Sequence, residues 1–147
     1  MDIGAYLSGY TDGEGCFCVS INRSKRHKFG WEIRPSFSVS QNRDRANVLR
    51  MFKQYLGCGT IRADSSDKTL KFEVRSISDL VTKVITHFEK YPLLSEKKLD
   101  FNRFADICNM MQTKKHLIKN GLQKILKLAG EINITGKKKF LREKIKI

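Results

Sequence analysis

Long apolar segments and secretion features are missing from this sequence. No stretch approaches the roughly 18 consecutive apolar residues of a membrane-spanning helix. The start also lacks the basic flank and apolar run that are typical of a signal peptide. We therefore expect an intracellular protein that has no membrane partner.

Paired cysteines are also missing. The four cysteines are Cys16, Cys18, Cys58 and Cys108, which fall on different predicted elements and show no CxxC spacing. Zinc sites and disulfides remain possible, but free thiols, buried or half-buried, are the better interpretation.

Acidic residues are scarce relative to basic ones. The 147 residues, which are one domain's length, include 15 Asp and Glu against 29 Lys and Arg, for a net charge of +14. This balance makes a polyanion the expected partner, with nucleic acid favoured. Residues 112–147 alone hold 11 Lys and Arg and 2 Glu, which is +9 of that total.

The basic residues are concentrated toward the end of the chain. We expect a single domain over 1–136 and a basic C-terminal tail over 137–147, in which Lys137, Lys138 and Lys139 bind DNA phosphates without reading base sequence. The alternative is a solvated helix face followed by a frayed end.

The first helix is predicted from Ile3 onward, with Asp2 as its N-cap and Gly13 at its end, so that Glu14 follows the helix. Helical spacing divides this segment into two faces. The large face should pack in the core, and the small face would allow a second helix to come close. The large face comprises Ile3, Tyr6, Leu7 and Tyr10, and the small face comprises Ala5, Ser8, Gly9 and Asp12.

Four later segments alternate apolar and polar residues, as half-buried strands do. They predict an antiparallel sheet with one apolar face and one polar face. An ordinary solvated face is the alternative, but the basic excess favours a surface that contacts phosphates and base edges. The predicted DNA-contacting residues, in the strands and the first hairpin turn, are Cys18, Ser20, Asn22, Ser24, Lys25, Arg26, Lys28, Glu32, Arg34, Ser36, Ser38, Ser40, Arg62, Lys71, Glu73 and Arg75.

The segment Leu7-Ser8-Gly9-Tyr10-Thr11-Asp12-Gly13-Glu14-Gly15 resembles the signature of the LAGLIDADG homing endonucleases. It departs from the signature at Ser8, where alanine is usual, and at Glu14, where aspartate is more frequent. The resemblance implies an α+β fold of order αββαββα, with a saddle-shaped, four-stranded antiparallel sheet backed by helices. It also implies that two motif helices cross and bring their terminal acids together.

The same resemblance implies an active site. Glu14 and the backbone carbonyl of Gly13 would hold Mg²⁺ or Mn²⁺, and Gln41 and Arg45 would order water and stabilise charge at the scissile phosphate. A lysine is also expected there, and Lys97 is preferred to Lys98. Both lysines stand in the first turn of a predicted helix, where a positive charge is unfavourable. A phosphate that binds there would explain them. An equally good explanation is that the nearby carboxylates of Glu96 and Asp100 offset their charge.

A second copy of the motif is absent from the 147 residues. We therefore expect a homodimer through Ala5, Ser8, Gly9 and Asp12. The predicted function is a metal-dependent double-strand break at a long, pseudo-palindromic DNA site, which initiates homing of an intron or intein-type element. Intron RNA binding as a maturase and non-catalytic DNA-binding regulation are the alternatives. Relatives of this kind are encoded in mitochondria, chloroplasts, bacteria and archaea, and the sequence does not discriminate between these compartments.

Overall fold

The computed structural model describes residues 1–64, 66 and 68–132, and it confirms an α+β fold with a four-stranded antiparallel sheet. The predicted tail with Lys137, Lys138 and Lys139 lies outside the described residues, as does the boundary at 136. Within them, no helix is both long and apolar enough to span a membrane.

The elements follow the predicted order as far as the second strand pair and then continue as helices. In chain order they are α1 (Ile3–Glu14), β1 (Gly15–Arg23), β2 (Trp31–Asn42), a 3-10 turn (Arg43–Arg45), α2 (Asn47–Leu56), β3 (Thr60–Ala63), β4 (Thr69–Val74), α3 (Ile77–Asp79), a π-helical segment (Leu80–Ile85), α4 (Thr86–Lys90), α5 (Lys97–Gln112), a 3-10 turn (Lys115–Leu117) and α6 (Lys119–Glu131).

The strands lie in the order β1-β2-β4-β3, so the two hairpins join through β2 and β4. The register aligns Cys16, Ser38, Glu73 and Thr60 in one row across all four strands. At Pro35, β2 pairs with β1 alone, because its pairing with β4 begins at Phe37. Proline suits this position, because among the described residues no strand pairs with Pro35 on that side and needs its missing N–H.

The core lies between one face of the sheet and the helices. Alternation places Phe17, Phe37 and Phe72 on that face, each at most 1% exposed. Their rings contact Phe52 of α2 and Phe88 and Phe104 of the later helices. The opposite face of the sheet therefore carries the polar residues.

The predicted end of the first helix is wrong. Helix α1 continues through Glu14 instead of ending at Gly13, and Gly13 is not among the residues with positive φ. A 3-10 turn separates β2 from α2, which begins at Asn47 after Ala46. By contrast, α2 ends at Gly57 in the left-handed conformation (φ 70°), where glycine has no Cβ penalty.

Candidate active site

Helix α1, which carries the motif, places Glu14 at its junction with strand β1. Asp2 caps the start of the helix as predicted, accepting from the Ala5 N–H at 3.3 Å. Glu14 is the last helical residue and is exposed, and Gly15 begins β1 immediately after it. Because backbone carbonyls concentrate at a helix C-terminus, this end of α1 favours a cation.

Tyr10 links the helix to strand β2 and brings predicted site residues together. The Gln41 side-chain amide donates to the Tyr10 hydroxyl, and its carbonyl accepts from the Asn42 N–H at 3.1 Å. Burial, and to a lesser extent the charge of Glu14, raises the pKa of the Tyr10 hydroxyl, whereas the Gln41 bond and Arg45 act in the opposite direction. Gln41 therefore contacts Tyr10 directly, and the charges of Glu14 and Arg45 act on its hydroxyl.

Helical spacing did not predict this role of Tyr10, because it placed the residue on the core face of α1. One observation could have indicated it: Tyr10 precedes Glu14 by four residues, so the two side chains lie on the same side of the helix.

Lys97 contacts the end of the motif helix directly. Its Nζ donates to the carbonyl of Thr11 at 3.0 Å and to that of Gly15 at 2.6 Å. Lys98 is exposed. The positive charge of Lys97 at the start of α5 thus meets the negative end of α1, which explains a lysine in a position that its own helix disfavours.

The two faces of α1 differ from the predicted ones. Gly4, Leu7, Ser8 and Thr11 are buried in the chain's own core, whereas Ile3 and Tyr6 are 38% and 41% exposed. Ala5, Gly9 and Gly13 are exposed, and a Cβ placed at Gly9 or Gly13 would meet nothing within 4 Å. The open side of the helix is therefore a stripe of small residues at four-residue spacing.

Ser8 and Asp12, predicted to contact a partner, make hydrogen bonds within the chain instead. The Ser8 hydroxyl donates to the Tyr91 carbonyl at 2.6 Å and lies 3.0 Å from Nε2 of His87. Asp12 accepts from the N–H groups of Leu94 and Ser95 and from the Ser95 hydroxyl. Ser8 is thus buried within the chain, and the Asp12 carboxylate is occupied by the turn before α5.

The Asp12 carboxyl is held in its charged form. Burial opposes ionisation, but the hydrogen bonds from Ser95 and Leu94, together with the charge of Lys97, outweigh it and lower the pKa of Asp12 below its usual value. Asp12 and Lys97 therefore fix the start of α5 beside the end of α1.

The polar face of the sheet forms a groove of about 410 Å³, and its lining includes Cys16, two residues after Glu14. Most of the DNA-contacting residues predicted for the strands line this groove or lie at its rim, whereas Lys25, Arg26 and Lys28 are exposed on the turn between β1 and β2. Ser36, Ser38 and Glu73 are at most 9% exposed and form its floor. The residues that line the groove are Cys16, Cys18, Ser20, Asn22, Arg34, Pro35, Ser36, Ser38, Lys71, Glu73 and Arg75.

The donor atoms at the end of α1 suit a hard divalent cation, which takes carboxylate and carbonyl oxygens. Glu14 supplies one exposed carboxylate and Gly13 a backbone carbonyl in the last helical turn. In the described part of the chain, no cluster of three or more His, Cys, Asp or Glu side chains could hold a metal. The residues present thus offer a hard divalent cation one carboxylate and one backbone carbonyl oxygen.

Comparisons with known proteins agree with this geometry. The sequence model of the LAGLIDADG endonuclease family matches residues 7–108. Two Neurospora crassa proteins, probable intron-encoded endonucleases 3 and 2, are 35% and 34% identical over 86% and 95% of this chain. The chain spans only 24% and 31% of their lengths, roughly a quarter to a third.

Solved structures give the same result. The homing endonuclease I-TnaI is similar with a TM-score of 0.88 and 35% identity, over 95% of this chain and 92% of that one. I-SmaMI, bound to an uncleaved DNA target in the presence of calcium ions, has a TM-score of 0.86 and 31% identity, over 91% of this chain and 45% of its own. The family match, the fold and the motif helix together show that this chain belongs to the LAGLIDADG endonuclease family.

Proposed function

We propose that this protein is a site-specific homing endonuclease that binds a long, pseudo-palindromic double-stranded DNA site and hydrolyses one phosphodiester bond in each strand. The observation that carries the proposal is the position of Glu14, which is exposed at the cation-favouring end of α1, two residues before Cys16, a residue that lines the polar groove. Similarity to intron-encoded endonucleases and to a DNA-bound structure supports intron homing as its setting.

Each of four side chains has a physical role in this proposal. Glu14, with the Gly13 carbonyl, holds Mg²⁺ or Mn²⁺, which supplies Lewis-acid activation of water and of the phosphate. Gln41, oriented by Tyr10, holds a water molecule at the phosphate. Arg45 and Lys97 place positive charge where the phosphate arrives, as electrostatic stabilisation requires.

The groove supplies the binding surface. Cys18, Ser20 and Asn22 are small hydrogen-bonding groups that reach base edges above the floor of Ser36 and Ser38. Arg34, Arg62, Lys71 and Arg75 supply positive charge for phosphates and bases. The exposed Lys25, Arg26 and Lys28 extend this charge beyond the outer end of the sheet. Lys137, Lys138 and Lys139 are proposed to add affinity that does not depend on base sequence.

A double-strand break needs two copies of this site. We propose that two chains pair through the open face of α1, carried by Ala5 and Gly9 and extended to Gly13. Small residues at this spacing let two helix backbones approach closely. The pairing also brings two Glu14 carboxylates together, and their mutual repulsion is relieved when cations lie between them.

Replacing Glu14 by glutamine tests the proposal. The amide keeps the size of the side chain and removes its charge, so plasmid cleavage with Mg²⁺ or Mn²⁺ should fall by on the order of 100-fold or more. Binding to the same DNA, measured with Ca²⁺, should persist because the groove is unchanged.

The matched control is Glu89→Gln, the same chemical change at an exposed position on α4, which should cut normally. Undiminished double-strand cleavage by Glu14→Gln would reject the assignment. Duplex binding without any metal-dependent cleavage by the unmutated protein would instead support a DNA-binding regulator, and specific binding to folded intron RNA would support a maturase.

A further inference from the structure

One carboxylate on the floor of the groove is surrounded by three cations. Glu73 is 6% exposed, and its Oε1 lies 2.8 Å from Nε of Arg75 and 3.1 Å from a terminal nitrogen of Arg62. Its Oε2 lies 3.8 Å from Nζ of Lys71. Both carboxylate oxygens therefore face basic side chains of the chain itself, and the cluster carries a net charge of +2.

The arginines in this cluster keep donors for another partner. Arg75 uses its Nε in the ion pair, so its two terminal amino groups are available at the end of a side chain that is 54% exposed. Arg62 is 50% exposed and bonds Glu73 through one terminal nitrogen only. Since a planar guanidinium that is held by a carboxylate loses less rotational freedom on binding, both forks are oriented in advance.

The sheet register locates the cluster along the groove. Glu73 is level with Ser38 and Cys16, and Cys16 follows Glu14 by two residues. Arg62 and Lys71 pair with each other one step beyond the start of β1. By contrast, the other ion pair on this face, between Arg34 and Glu32, lies toward the outer end of β2. The Glu73 cluster therefore lies at the same end of the sheet as Glu14, on the two strands beyond β2.

We propose that Glu73 is a positioning residue that fixes Arg62 and Arg75 to recognise guanine in the major groove, in the base pairs of each half-site next to the scissile phosphate. A guanidinium fork matches the O6 and N7 acceptors of guanine. Glu73 itself does not contact a base, because it is buried and both its oxygens face cations. This refines its assignment as a DNA-contacting residue, and the inference rests on the proposed function.

Glu73→Gln removes a negative charge, so we expect opposite effects on base preference and on affinity for unrelated DNA. Removing the carboxylate frees two arginines and one lysine, so the preference for guanine at the inner positions should fall roughly 10-fold. Affinity for unrelated duplex DNA should stay the same or rise, with a salt dependence steeper by about one phosphate contact. A merely structural role would weaken both kinds of binding.

The experiment selects cleaved sites, with Mg²⁺, from duplexes randomised at the inner positions of both half-sites. A parallel selection for binding in Ca²⁺ reports base preference independently of cutting. Arg62→Lys and Arg75→Lys keep the charge but lose the fork, so they should reproduce the loss of guanine preference. They also keep the test valid if Glu73→Gln does not fold.

Asp79→Asn is the matched control, since it removes one carboxylate from an exposed ion pair with Lys83 on the helical side of the protein. It should leave base preference unchanged. Guanine enrichment at the inner positions that is lost in the three groove variants supports the inference. Absent enrichment, or enrichment that survives in Glu73→Gln and both lysine variants, overturns it while the cleavage assignment stands; failure of the unmutated protein to cut overturns the assignment itself.

Discussion

Tyr10 connects helix α1 to strand β2, and the proposed site needs both elements in place. Its ring packs edge-on against Phe52 at 6.1 Å, and its hydroxyl accepts the hydrogen bond from Gln41. The ring therefore anchors the residue in the core, and the hydroxyl determines where the Gln41 amide lies.

Tyr10→Phe should slow cleavage without weakening DNA binding. The substitution keeps the ring and removes one hydrogen bond of about 1 kcal/mol, so single-turnover cleavage should fall by roughly 5-fold. Tyr6→Phe removes the hydroxyl of a 41%-exposed neighbour on the same helix and serves as the control. Equal cleavage rates for Tyr10→Phe and the unmutated protein would show that Gln41 does not depend on Tyr10.

At the level of elements, helix α1 is held on its buried side by a chain of hydrogen bonds. The Ser8 hydroxyl donates to the Tyr91 carbonyl, so it accepts from the Nε2–H of His87, whose Nδ1 then accepts from the Tyr55 hydroxyl at 3.2 Å. His87 is 7% exposed. This arrangement requires neutral His87, and it connects α1 to α2 and α4.

Acid should therefore loosen α1. Burial lowers the pKa of His87 to about 4, below its value in the unfolded chain, so the unfolded state binds the extra proton first. The free energy of unfolding should fall by about 2 kcal/mol between pH 7 and pH 5 from this group. Urea unfolding at both pH values measures the change.

His87→Gln removes the titrating ring, so this part of the pH dependence should disappear. Tyr55→Phe keeps the histidine and removes only one of its partners, so the pH dependence should persist in that variant. The same slope in His87→Gln as in the unmutated protein would assign the acid sensitivity to other groups.

Elements with a strict period were predictable, and the orientation of α1 was not. Alternation identified the strands and their polar face because side chains of a strand point to opposite sides. On α1, however, small and large residues occur on both sides, and the burial of Ser8 depends on His87, 79 residues later in the chain. The contact of Lys97 with α1 likewise needs a fold that joins residues 82 and 86 positions apart.

The motif indicated Glu14, and the wider family resemblance indicated Gln41 and Arg45. In the structure Gln41 donates to the Tyr10 hydroxyl, and the charges of Glu14 and Arg45 act on that hydroxyl. Their roles in cleavage stay predictions. The Glu73 cluster was only partly predictable from the sequence. Alternation places Lys71, Glu73 and Arg75 on one face of β4, but it cannot show that the Glu73 carboxylate pairs with Arg62 as well as with Lys71 and Arg75.

At the scale of the whole molecule, Gly9→Leu should prevent the pairing of two chains without impairing the folding of each chain. A side chain at Gly9 meets nothing within 4 Å in the single chain, and removing a helical glycine should leave stability unchanged or raise it by up to about 1 kcal/mol. The same leucine would block a second helix. We expect a folded monomer by light scattering that makes no double-strand breaks.

Gly130→Leu is the matched control, because Gly130 lies in α6 and is equally open. It should assemble and cut as the unmutated protein does. Double-strand breaks made by monomeric Gly9→Leu would contradict pairing through this face.

The alternation of β1 and β2 has an evolutionary consequence. Core residues such as Phe17, Val19 and Phe37 occupy one set of strand positions, and groove residues such as Cys18, Ser20 and Arg34 occupy the other. Under the proposed function, substitutions at the more exposed groove positions would change the recognised sequence at little cost in folding free energy. A lineage with this architecture would thus move to a new insertion site by drifting at alternate residues, while the fold and the proposed cleavage site are inherited unchanged.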